Sequence, residues 1–448
     1  MANKNDSSIR DGFTSRWGFV LACIGSAVGM GNLWRFPILV SKYGGLTFLV
    51  PYIIFVCLVA STGIIEEFAL GRAAGTGPVG AFGMCTKLRF NNEKAGRLIG
   101  AIPIIGALGL SIGYTVVFAW IIKYLTMSVT GAMFTMGQDM DIIGMTFGMT
   151  ASAGGANVWI IIAVIVAFII MAFGISGGIE KANKIMMPIL FGLLVVLAIY
   201  VATLPGASNG YKYIFSFNGA GLADPEVWLY AFGQAFFSLS VAGNGSVIYG
   251  SYLGEKEDIP KSARNVAIFD TLAALLAAFV IIPAMAAADA ALESGGPGLL
   301  FIYLVNVMNG MGGGRIVEVI FFIAVLFAGL SSIINLYEAP TEFIQDKFGI
   351  KRPFAVAIML GIGCVAALLI QAITSEWMDV VSIYICPLGA LLAAIMYFWI
   401  AGKDFANKQA NLGAEKPVGK LFYPLGKYLF CAAALIALIA GAIFGGIG

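Results

Sequence analysis

Two runs of small and polar residues interrupt long apolar stretches and are the first candidates for chemistry. They lie at 25–32 (GSAVGMGN) and 240–245 (SVAGNG). Either run could instead pack helices closely through its glycines, as the spacing of Gly25 and Gly29 would allow. Two such runs, each with an Asn among clustered glycines, favour unwound backbone around a buried site. Unpaired backbone groups that face lipid would cost several kcal/mol each.

The first interruption offers backbone groups of both signs. The helix resumes near Met30, so its free N–H groups and positive dipole end suit a carboxylate. Free carbonyls at Gly25, Ala27 and Val28 suit a small cation or a substrate ammonium. Sodium is favoured over calcium, because carbonyls and hydroxyls outnumber acidic ligands here.

Charged residues inside apolar stretches are further functional candidates. Asp270 is predicted to need a cation partner, because an isolated buried carboxylate is costly. Arg35 and Asp379 could close an outer vestibule, although Asp379 could equally be a solvated interfacial charge. Glu67, or Glu66 beside it, could brace a broken helix. Four residues could form an inner network or remain solvated interface groups: Arg10, Tyr252, Glu338 and Asp346.

Transmembrane helices are the elements that must position these groups. Of the 448 residues, 60% are apolar and 11% are charged, which excludes a soluble domain or a nucleic-acid-binding protein. The absence of His excludes Ser-His-Asp catalysis. The sequence also lacks the repeated pore loop that an ion channel would be expected to show. Eleven apolar stretches are long enough to cross a bilayer, at about 17–40, 46–70, 98–129, 158–174, 185–204, 226–253, 264–288, 315–345, 354–372, 377–401 and 421–446.

The distribution of Lys and Arg predicts the orientation in the membrane. With the N-terminus in the cytoplasm, the outer loops keep only Lys42, Lys212 and Arg315. This is the positive-inside pattern, and an odd number of spans places the C-terminus outside. We therefore predict a protein of the inner (plasma) membrane. The polar residues 1–15 lack the apolar core of a signal peptide, so the first stretch is expected to remain as a helix.

The interrupted stretches occupy the first and sixth positions in this series. These positions correspond in a five-plus-five inverted repeat, the arrangement of many secondary transporters with a site at the midplane. The predicted fold is thus an all-α membrane protein of eleven transmembrane helices with helices 1 and 6 broken. Residues 1–204 would hold the N-terminal tail and first repeat, 226–401 the second repeat, and 402–448 a cytoplasmic loop and helix 11.

Four motifs resemble the neurotransmitter:sodium symporter family over essentially the whole chain. The run 25–37 (GSAVGMGNLWRFP) resembles the family's first helix, and 233–240 (GQAFFSLS) resembles its sixth. Gly178 and Pro188 match a Gly-x9-Pro pattern in the fifth, and 328–332 (AGLSS) matches the eighth. The resemblance implies the leucine-transporter-like fold of the bacterial amino-acid branch. It also implies a transporter rather than an enzyme, with sodium as coupling ion and no other cofactor.

The resemblance also implies roles for individual residues. The first sodium would bind Ala27, Asn32, Ser238 and Asp270, and the second would bind Gly25, Val28, Ala328, Ser331 and Ser332. The substrate would contact Ala27, Met30, Gly31, Leu110, Tyr114, Phe237, Ser238, Ser240, Gly243, Asn244, Ile333 and Leu336. Arg35 with Asp379 would form the outer gate, Arg10 with Asp346 the inner one, and Glu67 the bracing acid.

Two positions narrow the expected substrate and coupling. Gly29 stands where monoamine transporters place an Asp that binds the ligand amine, so the ligand here should bring its own carboxylate. Asp270 supplies fixed charge near the first sodium, which predicts chloride independence. We expect the substrate to be a large hydrophobic or aromatic amino acid, and one chain in the bilayer to be sufficient for transport. An aromatic carboxylate without an α-amine and a proton-coupled variant are alternatives, and a transporter-like receptor is a third.

Overall fold

Helices make up the secondary structure of the protein. The structure, a computed structural model, describes residues 12–241, 244–288 and 297–444, and these ranges contain no β-strand. The helices of the first half are α1 (Arg16–Ala27), α2 (Phe36–Tyr43), α3 (Leu46–Val59), α4 (Ile65–Ala74), α5 (Pro78–Phe90), α6 (Glu93–Ile99), α7 (Ala101–Thr130), α8 (Met140–Ala151), α9 (Asn157–Ala172), α10 (Glu180–Ala202) and α11 (Ala207–Ile214).

The second half continues the helical pattern. Its helices are α12 (Pro225–Ser238), α13 (Gly245–Gly250), α14 (Ile259–Ala287), α15 (Leu304–Asn309), α16 (Gly314–Phe348), α17 (Arg352–Ile370), α18 (Thr374–Val380), α19 (Cys386–Ala394), α20 (Gly402–Asn411), α21 (Phe422–Pro424) and α22 (Cys431–Phe444). Turns with π-helical hydrogen bonding join several of these, including Gly31–Arg35, Ala60–Ile64, Ile175–Ile179 and Ile395–Ala401.

Local sequence explains where several of these helices begin and end. The Asp224 side chain accepts the N–H of Glu226 at the start of α12, and Asp258 accepts that of Lys261 at the start of α14. A side-chain oxygen at this position satisfies a backbone donor that has no partner within the helix. Gly44 ends α2 at a φ of 87°, a conformation that glycine adopts without steric cost.

The described residues include seven helical segments long and apolar enough to cross a membrane. Two further segments, Arg16–Ala27 and Gly31–Tyr43, form a bent pair, and counting this pair as one span gives up to eight spans. The segment Arg352–Asn411 covers the two stretches predicted at 354–372 and 377–401, and α9 is a shorter apolar helix of 16 residues. The all-helical fold is therefore confirmed for the described residues, whereas the count of eleven spans stays a prediction.

Apolar side chains also cover the outside of the helical assembly. On α17, Ile362, Val365 and Leu369 are exposed, the last by 78%, and α9 exposes Ile161 and Ile165 in the same way. Large continuous apolar surfaces are rare on soluble proteins. The buried polar side chains include several at or near the interrupted helices, such as Asn32, Ser238 and Asp270. This distribution is typical of a membrane protein with a polar interior site.

Candidate functional site

The first interruption divides α1 from α2. Val28, which follows α1, has extended backbone (φ −72°, ψ 97°), and the two halves of the broken span are bent by 56°. The N–H of Gly29 donates to Asn32 Oδ1 at 3.2 Å rather than to a helical carbonyl. A Cβ added at Gly29 would lie 2.6 Å from Ser332 Oγ, so the absence of a side chain lets the break approach α16. The structure thus shows a break where the sequence predicts it.

The second interruption separates α12 from α13. Ser240 and Asn244 both have positive φ, 58° and 50°, which side chains other than glycine adopt at a steric cost. Asn244 Nδ2 donates to Glu67 Oε1 at 3.0 Å, and Ser240 Oγ donates to the carbonyl of Ser26 at 2.6 Å. The second bond ties the two interruptions together. Gly243, predicted to contact substrate, lies outside the described residues.

A cavity lies between the two interruptions, bounded also by α7 and α16. Its wall includes eight residues predicted to contact substrate: Ala27, Gly31, Leu110, Tyr114, Phe237, Ser238, Ser240 and Leu336. The other lining residues are Ser26, Gly29, Asn32, Ala107, Gly245, Ser332, Asn335 and Ala339. Met30, Ile333 and Asn244 are buried but do not line this cavity. Sequence reasoning missed Asn335, although a polar residue within an apolar span was the available signal.

Three buried polar side chains form a cluster, and two of them, Asn32 and Ser238, line this cavity. Asn32 Nδ2 lies 2.8 Å from Asp270 Oδ1 and 3.1 Å from Ser238 Oγ, and the Ser238 hydroxyl donates to Asp270 Oδ2 at 2.7 Å. None of the three is more than 2% exposed. The cluster therefore combines a buried carboxylate with neutral oxygens, a combination that can hold a small hard cation.

The residues predicted for the second sodium also lie close together. The hydroxyls of Ser331 and Ser332 both donate to the carbonyl of Ala328, at 3.0 and 2.9 Å. On the facing helix, a Cβ added at Gly25 would lie 3.2 Å from Ser331 Cβ and would overlap the Asn183 carboxamide. Asn183 Oδ1 is buried and accepts no hydrogen bond from the described residues. The two helices thus bring uncharged oxygens together, and this donor chemistry fits sodium.

A second cavity adjoins the first on the side predicted to face outward. Arg35 and Asp379 both line it, together with Tyr114 and Phe237, which are shared with the central cavity. The guanidinium carbon of Arg35 lies 5.1 Å from the centre of the Phe237 ring, which is within the range of a cation–π contact. The two aromatic rings therefore stand between the central cavity and the predicted outer gate.

Another set of contacts involves Glu338, near the end of α16 that is predicted to face the cytoplasm. Glu338 accepts two hydrogen bonds from Arg352, both at 2.8 Å, and one from the hydroxyl of Tyr252 at 2.7 Å. Phe13 packs edge-on against Tyr252 and its neighbour Tyr249. Of the predicted inner gate, Asp346 is exposed near the end of α16, and Arg10 lies outside the described residues. Arg352 was not identified from the sequence.

Comparison with known protein families identifies the family of this chain. The model of the sodium:neurotransmitter symporter family matches residues 10–136 and 139–423. The chain belongs to this family. It is therefore a sodium-dependent membrane symporter rather than an enzyme, as the sequence motifs predict.

Several relatives of this symporter cover almost its whole length. An uncharacterized sodium-dependent transporter of Methanocaldococcus jannaschii is 31% identical, over 96% of this chain and 89% of the relative. The sodium-dependent transporter YhdH of Bacillus subtilis is 28% identical, over 95% and 96%. The crystal structure of MhsT in complex with L-phenylalanine is similar with a TM-score of 0.84 and 31% identity, over 96% of this chain and 99% of MhsT. The symporter therefore shares the MhsT fold along its length.

Proposed function

We propose that this symporter couples sodium to the uptake of an α-amino acid with a large hydrophobic or aromatic side chain, without a requirement for chloride. The observation that carries the proposal is the central cavity, which is lined by Asn32 and Ser238 of the buried Asn32–Ser238–Asp270 cluster and by the rings of Tyr114 and Phe237. The similar protein MhsT was crystallised with L-phenylalanine, which supports an amino-acid ligand.

The first coupling ion would bind in the cluster itself. Asp270 would supply the charge, while Asn32, Ser238 and the Ala27 carbonyl would supply neutral oxygens. Burial strengthens the attraction between Asp270 and a cation, because little water screens it. The second ion would bind the carbonyls of Gly25, Val28 and Ala328 with the hydroxyls of Ser331 and Ser332.

The substrate's charged groups would meet the two broken helices. Its carboxylate would accept from the N–H groups of Met30 and Gly31 and from the Tyr114 hydroxyl, at the positive end of the resumed helix. Its amine would meet the carbonyls of Ala27, Phe237 and Ser238 and the Ser240 hydroxyl. Position 29 is glycine, so no side-chain carboxylate competes with that of the substrate.

Transport would proceed by alternating access between the two ends of the cavity. Arg35 with Asp379 would close the outer end, and the hydrogen bonds from Arg352 and Tyr252 to Glu338 would close the inner end. Each charge moved across 100 mV contributes about 2.3 kcal/mol. Two sodium ions with a zwitterion would then supply about 4.6 kcal/mol, which is more than a thousandfold accumulation.

The orientation and assembly belong to the same proposal. The Lys and Arg distribution supports a cytoplasmic N-terminus and an external C-terminus in the inner membrane. One chain contains both interruptions and both candidate sodium sites, so a monomer would be sufficient for transport.

A binding panel on the purified protein tests the proposal. Thermal stabilisation by twenty amino acids, aromatic acids and amines would be measured in sodium and in potassium, each with and without chloride. We expect sodium-dependent stabilisation by a few amino acids, unaffected by chloride, and matching uptake into proteoliposomes. Equal stabilisation in potassium, or stabilisation by amines without a carboxylate, would contradict it.

A further inference from the structure

Asn335 is a buried polar residue in the wall of the central cavity without a role in the sodium sites. It lies on α16, is 5% exposed and faces the same cavity as Ser332 and Leu336. Both polar atoms of its carboxamide are buried, and neither has a hydrogen-bond partner among the described residues. A carboxamide offers two donor hydrogens and an acceptor oxygen, so considerable hydrogen-bonding capacity remains unused.

The position of Asn335 separates it from the groups that bind the charged end of the substrate. Ser332, Asn335, Leu336 and Ala339 form one stripe along α16, and seven residues of helix span about 10 Å. Because α16 is predicted to run from the outer to the inner face, Asn335 and Ala339 lie nearer the inner face than Ser332, which is beside the first break. An amino acid whose charged groups are held at the broken helices would extend its side chain along this stripe.

We propose that Asn335 recognises a hydrogen-bonding group at the far end of the substrate side chain. The substrate class is then amino acids with a polar tip, such as the phenol of tyrosine, rather than purely hydrocarbon side chains. The reason is energetic: a buried amide without a partner is costly, and a ligand hydroxyl can both donate to it and accept from it. A pocket built to bind a hydroxyl discriminates against the analogue that lacks it. This inference rests on the proposed function and specifies its substrate.

Pairs of amino acids that differ mainly in a polar group provide the test. Tyrosine and phenylalanine, and glutamine and methionine, would be compared by binding competition in sodium for the wild type and for Asn335→Leu. We expect tyrosine to bind the wild type roughly three- to tenfold more tightly than phenylalanine, with this preference lost in the variant. Asn306→Leu, an equivalent change on α15 outside the cavity, should leave the preference unchanged.

The outcomes separate this inference from the proposed function. If no amino acid binds in a sodium-dependent manner, the proposed function itself fails. A second outcome is that amino acids bind while the affinity ratios of tyrosine to phenylalanine and of glutamine to methionine are the same in the wild type and in Asn335→Leu. In that case the proposed function stands and the role of Asn335 is refuted. Should the variant not fold, the wild type decides alone, because a tyrosine affinity no greater than that of phenylalanine overturns the inference.

Discussion

Replacing Asp270 with Asn removes the one charged group of the proposed first sodium site while nearly preserving its shape. The carboxylate is fully buried and accepts hydrogen bonds of 2.8 Å from Asn32 and 2.7 Å from Ser238. An amide in its place keeps an acceptor oxygen for one of these donors. The variant therefore isolates the contribution of the negative charge to sodium binding.

The expected magnitude follows from burial. Removing one partner of a buried charge pair typically costs about 3–5 kcal/mol, which corresponds to at least about a hundredfold in affinity. The sodium concentration for half-maximal stabilisation by a saturating amino acid should rise by about this factor. The assay is a sodium titration of ligand-dependent thermal stability, with Asp141→Asn, an exposed acid on α8, as the matched control. A shift of less than about threefold in Asp270→Asn would refute the assignment of Asp270 to a sodium site.

Asp270 is also the reason for predicting that transport does not require chloride. Wild-type uptake should be unchanged when gluconate replaces chloride, because Asp270 already supplies a fixed negative charge. Asp270→Ser leaves space in its place, and chloride should then restore part of the lost sodium affinity. Chloride-dependent uptake by the wild type would contradict this reasoning.

Two further predictions concern the close contact between Gly25 and Asn183 and the hydrogen bonds between Glu338 and Arg352. Gly25→Ala places a methyl group on the Asn183 carboxamide and should abolish sodium-dependent binding, whereas the double variant with Asn183→Ala should recover part of it, as measured by the same sodium titration. Glu338→Gln weakens the paired hydrogen bonds from Arg352, so the inner end should open more often. Maleimide labelling of the buried Cys23 should then be faster, in a protein whose other cysteines are replaced, and an unchanged rate would argue against a closing role.

The interruptions and the buried acid could be predicted because residue type alone marks them. A buried carboxylate is costly inside a membrane span, and two glycine-rich runs that each hold an Asn at corresponding spans are unusual, so runs 25–32 and 240–245 and Asp270 stand out against their apolar surroundings. The structure places residues of both runs around one cavity and Asp270 in hydrogen-bond contact with Asn32 in its wall. Their proximity to one another results from tertiary packing, which composition does not reveal. The resemblance to the family motifs was the basis for assigning them to one site.

The wall of the cavity was harder to predict, because spans of a helix bundle are apolar on every side. Periodicity then does not distinguish the face towards the cavity from the face towards lipid. The stripe observed on α16 is Ser332, Asn335, Leu336 and Ala339, which is ordinary helical spacing. Counting by three and four from Ser332 would have selected Asn335 in place of Ile333. Arg352 was missed for a different reason, since its contact with Glu338 joins separate helices across a short loop.

The two interruptions have related polar contacts, and this bears on the predicted repeat. Asn32, at the first break, donates to Asp270 on α14, whereas Asn244, at the second break, donates to Glu67 on α4. In a five-plus-five repeat the first span corresponds to the sixth and the second to the seventh. Each break would then pair its Asn with an acid from the other repeat. Such crossed contacts would couple the two halves at the points where their helices are unwound. A movement of one break should therefore displace the other.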